Sequence, residues 1–264
     1  MRKIIIFLAT IFLVGCGSSS SGSGNGGNGN GGWSGGGTPR SVDLTQYPKT
    51  PLTQEQKYSL AYMWNEEKLA KEIYLELDKI YPTKQLNNIA NNSEVKHIEY
   101  VQNLAKWYDI NITNIADYEI NYSAQELNSM AVGKFAVPEV QDLYNMLYDK
   151  GITSQQSSLE VGCMVEVTDI NDLDRYIAIA GTNKALLDTF DILIDGSYNH
   201  YWAFDKGLKD LGVSNGCCSL GSDYCHSEYP QNENGQQGGG DTQGQGEAQQ
   251  GDGQGQQHQY GKNL

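Results

Sequence analysis

The chain is short of paired cysteines, of positive charge and of long apolar runs, and each shortage closes off a class of protein. Its five cysteines include no Cys-x-x-Cys motif, which excludes an appended zinc ribbon or a rubredoxin-type iron centre. Against 32 acidic residues stand only 18 lysines and arginines, a formal charge of −14. Nucleic-acid affinity is dominated by cationic contacts to phosphate, so this balance speaks against a nucleic-acid partner. It suits cation binding without demonstrating it, and most of the charge reads as solvated surface. The most apolar run, residues 4–13, is too short to span a bilayer. No run comparable to the helical ones alternates apolar and polar residues with a period of two, so no sheet is expected.

What is present begins with an address. Met1, Arg2 and Lys3 make a short basic start, and the apolar run ends in Leu13-Val14-Gly15-Cys16. This is the pattern of a bacterial lipoprotein signal over residues 1–15, with Cys16 as the lipidated first residue of the mature chain. Loss of Arg2 and Lys3 would take the charge from −14 to −16. Gly17 follows the cysteine where an Asp would favour inner-membrane retention, so the expected location is the cell envelope, at the outer membrane, facing the periplasm or the surface. Residues 16–50 read as the lipidated cysteine and a Gly/Ser/Asn-rich tether, with a reach of about 30 Å. Residues 231–264, rich in Gln and Gly, read as a disordered tail. One globular domain of ordinary size remains, residues 51–230.

That domain reads as all-α. The first helix is expected from Gln54 to Ile80, with Thr53 as N-cap and Gln56 as its capping-box partner. Its inward stripe is Leu60, Met63, Glu67, Ala70, Tyr74, Leu77 and Tyr81, with Glu66 falling beside it. The second, about 86–108, carries Ala90, Glu94, His97, Ile98, Val101, Leu104 and Ala105. A long connection with its own helix, Glu139 to Asp149 closed by Gly151, leads to a third long helix over about 155–179. Its stripe is Leu159, Cys163, Glu166, Ile170, Leu173 and Ile177. The fourth, about 184–211, shows Leu186, Phe190, Leu193, Ser197, His200, Phe204 and Leu208. Two helical hairpins joined by one long crossover, with an extra helix between helices 2 and 3, is the connectivity of a ferritin-like four-helix bundle. A generic all-helical domain is the plainer alternative.

Charge is expensive on a buried stripe, and here every long helix carries a ligand-type residue on one. Any single Glu or His of this kind is more often a helix-end residue or a hydrogen-bonded core group. Four helices doing so together point to a metal site. Ferritin-like di-metal sites take a Glu from each of two helices and Glu-x-x-His from each of the others, the three-residue spacing placing both ligands on one face. Glu67 and Glu166 are the lone carboxylates, and Glu94-Val-Lys-His97 is one full motif. The fourth helix departs from the pattern, with Ser197 three residues before His200. Asp169, one turn after Glu166, either replaces the missing carboxylate or serves as an outer partner of His200. The expected metal set is Glu67, Glu94, His97, Glu166, Asp169 and His200. Imidazole and carboxylate without thiolate suit iron, manganese or zinc, with a di-iron centre the first choice. In the segment 216–226, one disulfide between Cys225 and either Cys217 or Cys218 is expected, with a metal site as the alternative.

Five blocks together resemble a known family. They are Met63 to Tyr74, Ser93 to His97, Phe135 to Tyr144, Val161 to Leu173 and Gly196 to Phe204. They look like successive blocks of the DUF2202 family, a family of unknown function assigned to the ferritin-like, rubrerythrin-related superfamily. The resemblance covers nearly all of residues 52–211. Family members often carry a second Glu where this chain has Val167, which implies that this position is not an essential ligand. Residues 67–74 are similar to the first-helix ligand block of rubrerythrins. That likeness implies a di-iron centre reacting with peroxide or dioxygen, with Tyr74 as a redox or hydrogen-bonding neighbour or simply a core tyrosine. Without a rubredoxin module, electrons would come from a small external donor or from ferrous iron.

Three functions follow as alternatives. The first is a lipid-anchored di-iron oxidase or peroxidase, the second a non-catalytic iron-sequestering module. The third is a metal-free interaction domain, for which Ser197 would be the first sign of ligand loss. A closed ferritin-type cage is not expected, because tether and tail would have to pass the shell, so a monomer or dimer is the default.

Overall fold

The computed structural model describes residues 42–110, 114–115, 120–121 and 130–231. Cys16, the leader, most of the tether and nearly all of the Gln/Gly-rich tail lie outside the described residues.

Helix α1, Gln54–Ile80, starts where its cap dictates. The Thr53 hydroxyl accepts from the Gln56 amide at 3.2 Å, and the Gln56 side chain accepts from the Thr53 amide at 3.0 Å. Gln56 also donates to the carbonyls of Ile179 and Ala180, both at 3.2 Å, and so ties this start to the end of another helix. Thr83 caps α2, Lys84–Ile89. The helical run then continues through a π turn, Ala90–Glu94, into α3, Val95–Trp107. Within the long connection, Asn114–Ile115 pairs antiparallel with Ile120–Asn121. This is a local two-residue clasp, and the described fold is otherwise helical.

Helix α4, Pro138–Gly151, opens on a proline, whose missing N–H costs nothing in a first turn. Helices α5, Gln155–Ala180, and α6, Lys184–Asp210, are capped by the side chains of Ser154 and Asn183. The three-residue linker 181–183 makes them an antiparallel hairpin.

The long helices form a closed ring around one core: α1 lies against α3 and α5, and α6 lies against α5 and α3. Helix α4 packs outside this ring on α1 and α5. Leu60, Met63, Tyr74, Leu104, Ile170, Leu173, Phe190 and Phe204 fill the interior. The α5–α6 contact is close because Gly162 has no side chain to push away the Phe204 ring.

The cysteines depart from expectation. Two disulfides form rather than one: Cys218 pairs with Cys225, and Cys217 pairs with Cys163 of α5, 54 residues away. Cys163 lies on an apolar stripe, so its periodicity marks it as core and says nothing of a distant partner. This second bridge fastens the segment after α6 back onto α5.

Candidate metal centre

Five ligand-type side chains meet where α1, the α2–α3 run, α5 and α6 face one another. Glu67, Glu94, His97, Glu166 and His200 are all between 1% and 7% exposed. His97 Nδ1 lies 3.1 Å from Glu67 Oε2 and 3.1 Å from Glu94 Oε2. His200 Nδ1 lies 3.0 Å from Glu94 Oε1 and 3.4 Å from Glu166 Oε2. Two three-ligand groups result, Glu67/Glu94/His97 and Glu94/Glu166/His200, the ligand atoms of each lying within 4.8 Å of one another. Glu94 belongs to both and turns one oxygen towards each. The two imidazoles stack with centroids 5.4 Å apart.

Local structure explains how these groups reach the centre. Glu94 closes the π turn, and its wider backbone loop aims residue 94 inward before the α-helix resumes with His97 three residues on. His97 sits over Gly196 of α6, where a Cβ would stand 2.5 Å from its Nε2. Only a residue without a side chain admits the ring there. His200 Nε2 lies 2.8 Å from the Ser93 hydroxyl. A ring donating from Nε2 to Ser93 presents its bare Nδ1 to the carboxylates, which is the arrangement a metal-binding imidazole needs.

The electrostatics describe a cluster short of positive charge. Burial pushes the Glu67 carboxyl well up, and the charges of Asp169 and Glu94 push it further. Burial also raises Glu94, but His200 and His97 overcome this and hold it well below the usual carboxylate range. For His200 burial pulls down, yet Glu166 and Glu94 push it up to about 10. Glu67 Oε1, Glu94 Oε1 and His200 Nδ1 are buried without a hydrogen bond. The last two stand close together but are not aligned to share a proton. Each orphan costs about 1–3 kcal/mol, and cations held in the two groups would offer them partners. The donor set, imidazole and carboxylate only, fits iron, manganese or zinc.

Asp169 is in neither group, although it is buried at 7% exposure. Its Oδ2 accepts from the Ser197 hydroxyl at 2.6 Å, and its Oδ1 has no partner. Burial and then the Glu166 charge push its carboxyl up to about 7. Asp169 is not the outer partner of His200, the second of its two expected roles: Ser93 faces that ring's Nε2, and Glu94 and Glu166 face its Nδ1. Tyr74, fully buried, donates to Glu166 Oε1 at 2.5 Å and so restrains one ligand. Glu66 also needs correction. It falls beside the first stripe, yet it is only 4% exposed, with both oxygens unpartnered. The α1 face is wider than one stripe because α5 covers it from the side.

Sequence reasoning missed Ser93 and Gly196. Ser93 adjoins a ligand and Gly196 interrupts a helix interior at a cost in propensity, but neither signal says which imidazole it serves.

Fold and site together define an all-helical protein with a buried carboxylate–histidine cluster able to hold metal. The chain belongs to the family described as "Uncharacterized protein domain (DUF2202)", whose model matches residues 56–224. A relative from Methanocaldococcus jannaschii, "Uncharacterized protein MJ0754", is 34% identical over 169 residues, covering 64% of this chain and 83% of that protein. The solved structure titled "Crystal structure of hypothetical protein MJ0754 from Methanococcus jannaschii DSM 2661" is similar with a TM-score of 0.53. Its sequence is 32% identical, over 62% of this chain and 86% of that one.

Proposed function

We propose that this chain is a ferritin-like protein, lipid-anchored in the bacterial envelope through Cys16, whose buried cluster holds two metal ions. The observation that carries the reading is Glu94, one carboxylate shared by two three-ligand groups. Glu67 and His97 would hold one ion and Glu166 and His200 the other, with Glu94 common to both groups. Asp169, engaged by the Ser197 hydroxyl, stays outside both groups, so the centre is built from five ligands. Iron suits the set best, and two Fe(II) held there would supply the two electrons that reduce peroxide to water, peroxide or dioxygen being the oxidant.

The chain's own groups divide the remaining work. Ser93 and Gly196 orient the two imidazoles, and Tyr74 restrains Glu166. The deep burial of all five ligands excludes bulk water and strengthens every charge interaction inside. That same enclosure favours a second reading, a sequestering module without turnover.

Metal stoichiometry of the purified chain, loaded anaerobically with Fe(II) and then exposed to peroxide, tests both. Two iron per chain with rapid oxidation supports the enzyme. Two iron without oxidation supports sequestration. A folded helical protein that binds no metal refutes both and leaves a scaffold for binding something else. Glu94→Ala should abolish binding at both positions while helix content stays near that of the unaltered chain.

A further inference from the structure

Beyond the five ligands, the interior holds carboxylates that the proposed centre does not use. On α5, Glu166, Asp169 and Asp172 follow one another at three-residue intervals, so they share a face and climb about 4.5 Å per step. Exposure grades along this row. Glu166 is 2% exposed and Asp169 7%, while the Asp172 side chain reaches 17%. Glu66 of α1 faces the row from the opposing helix. It is buried to 4% exposure with no donor group facing either oxygen, and Asp169 Oδ1 likewise lacks a donor. Glu66 and Asp172 lie within hydrogen-bonding reach of each other across the two helices. Three oxygens without a donor therefore lie between the half-buried Asp172 and the ligand Glu166.

The outer end is covered. Arg175 pairs with Asp172 at 2.7 Å, donates to the Tyr176 hydroxyl at 2.9 Å, and stacks over the Tyr176 ring at 4.6 Å and the Tyr62 ring at 5.9 Å. A guanidinium over the mouth of an acidic row neutralises it while closed and uncovers it when it swings out. With about half of its side chain exposed, Arg175 has solvent to swing into.

From this arrangement we infer that Asp172, Glu66 and Asp169 form a transit site for divalent cations, leading from the surface at Arg175 to the Glu67/Glu94/Glu166 centre. The inference rests on the metal-binding reading above. Carboxylates alone are hard, weakly selective ligands, and a row of them without imidazole passes a cation on. The shared centre, with its two imidazoles, retains it. Oxygens without a donor along the row give a moving ion partners on its way inward.

The test is the rate at which Co(II) fills the centre of the full-length protein, followed by its visible absorption band in stopped flow, with final occupancy from equilibrium dialysis. Glu66→Gln and Asp172→Asn keep size and hydrogen-bonding capacity while removing charge. Each should slow filling at least tenfold and leave final occupancy at the centre unchanged. Arg175→Ala should speed filling several-fold, a direction that mere destabilisation would not mimic once circular dichroism shows native helix content. Filling at the unaltered rate in both carboxamide variants would overturn the transit site and leave the metal centre standing. A protein that takes up no Co(II) would overturn the centre and the transit site together.

Discussion

Replacing Gly196 with alanine should weaken metal binding while barely altering the helix that carries it. A new Cβ would stand 2.5 Å from His97 Nε2 and 2.6 Å from its Cε1. Ordinary contacts are about 3.5–4.0 Å, so the ring must retreat by roughly 1 Å. It cannot do so freely, because Nδ1 on its far side is 3.1 Å from both Glu67 and Glu94. Metal–ligand distances tolerate only about 0.2 Å, so a ring moved by several times that is a poor ligand. Losing comparable support around a metal ligand costs about 10–100-fold in affinity, or about 1.4–2.7 kcal/mol. Against this, alanine in a helix interior gains up to about 1 kcal/mol over glycine, so the metal-free variant should stay folded. Calorimetric titration of Mn(II) or Zn(II) into both proteins reads the difference directly. Unaltered affinity in Gly196→Ala, with native helix content, would refute the placement of His97 as a ligand.

The Cys163–Cys217 bridge closes a loop with a sequence separation of 54, worth about 4 kcal/mol by chain entropy. The Cys163→Ala/Cys217→Ala double variant should lose about that in urea unfolding, and a loss under about 1 kcal/mol would contradict the bridge. Tyr74→Phe removes a fully buried hydrogen bond to Glu166 and should cost about 1.5–3 kcal/mol in the metal-free protein; a neutral result would mean Glu166 is held by something else. Asp169 sits at about 7 in the folded protein against an ordinary 3.8, so the folded state holds the extra proton between those values. Its contribution therefore falls as pH rises from about 4 to about 7, by up to about 4 kcal/mol. His200, raised to about 10 from 6.5, contributes stability fully present below about 6.5 and lost as pH rises through about 10. The metal-free protein should thus lose stability towards alkaline pH, whereas metal affinity should rise with pH as ligand protons leave. Thermal unfolding with and without Zn(II) across that range checks both, and a flat metal-free profile would count against the buried carboxylate excess.

The helices were legible because their signals are local. Thr53 and Gln56 cap α1 within four residues of chain, and the stripes recur every three or four positions wherever a helix has one wet side. The same periodicity singled out Glu67, Glu94, His97, Glu166 and His200, since a charge on a buried stripe stands out in the sequence alone. Tertiary structure alone decided the rest. Which carboxylate is shared depends on where four helix axes pass one another, and the sequence holds no distance between α3 and α6. Ser93 became the partner of His200, and Gly196 the seat of His97, across 107 and 99 residues of chain. Glu66 looked peripheral because a one-stripe reading assumes a single covered face, and α5 covers a second. Cys163 read as core because a half-cystine and an apolar cysteine have the same periodicity, and only the return of the chain after α6 brings Cys217 to it. Local order is written in spacing along the chain, whereas ligand sharing, ring orientation and cross-links are set by the packing that spacing permits.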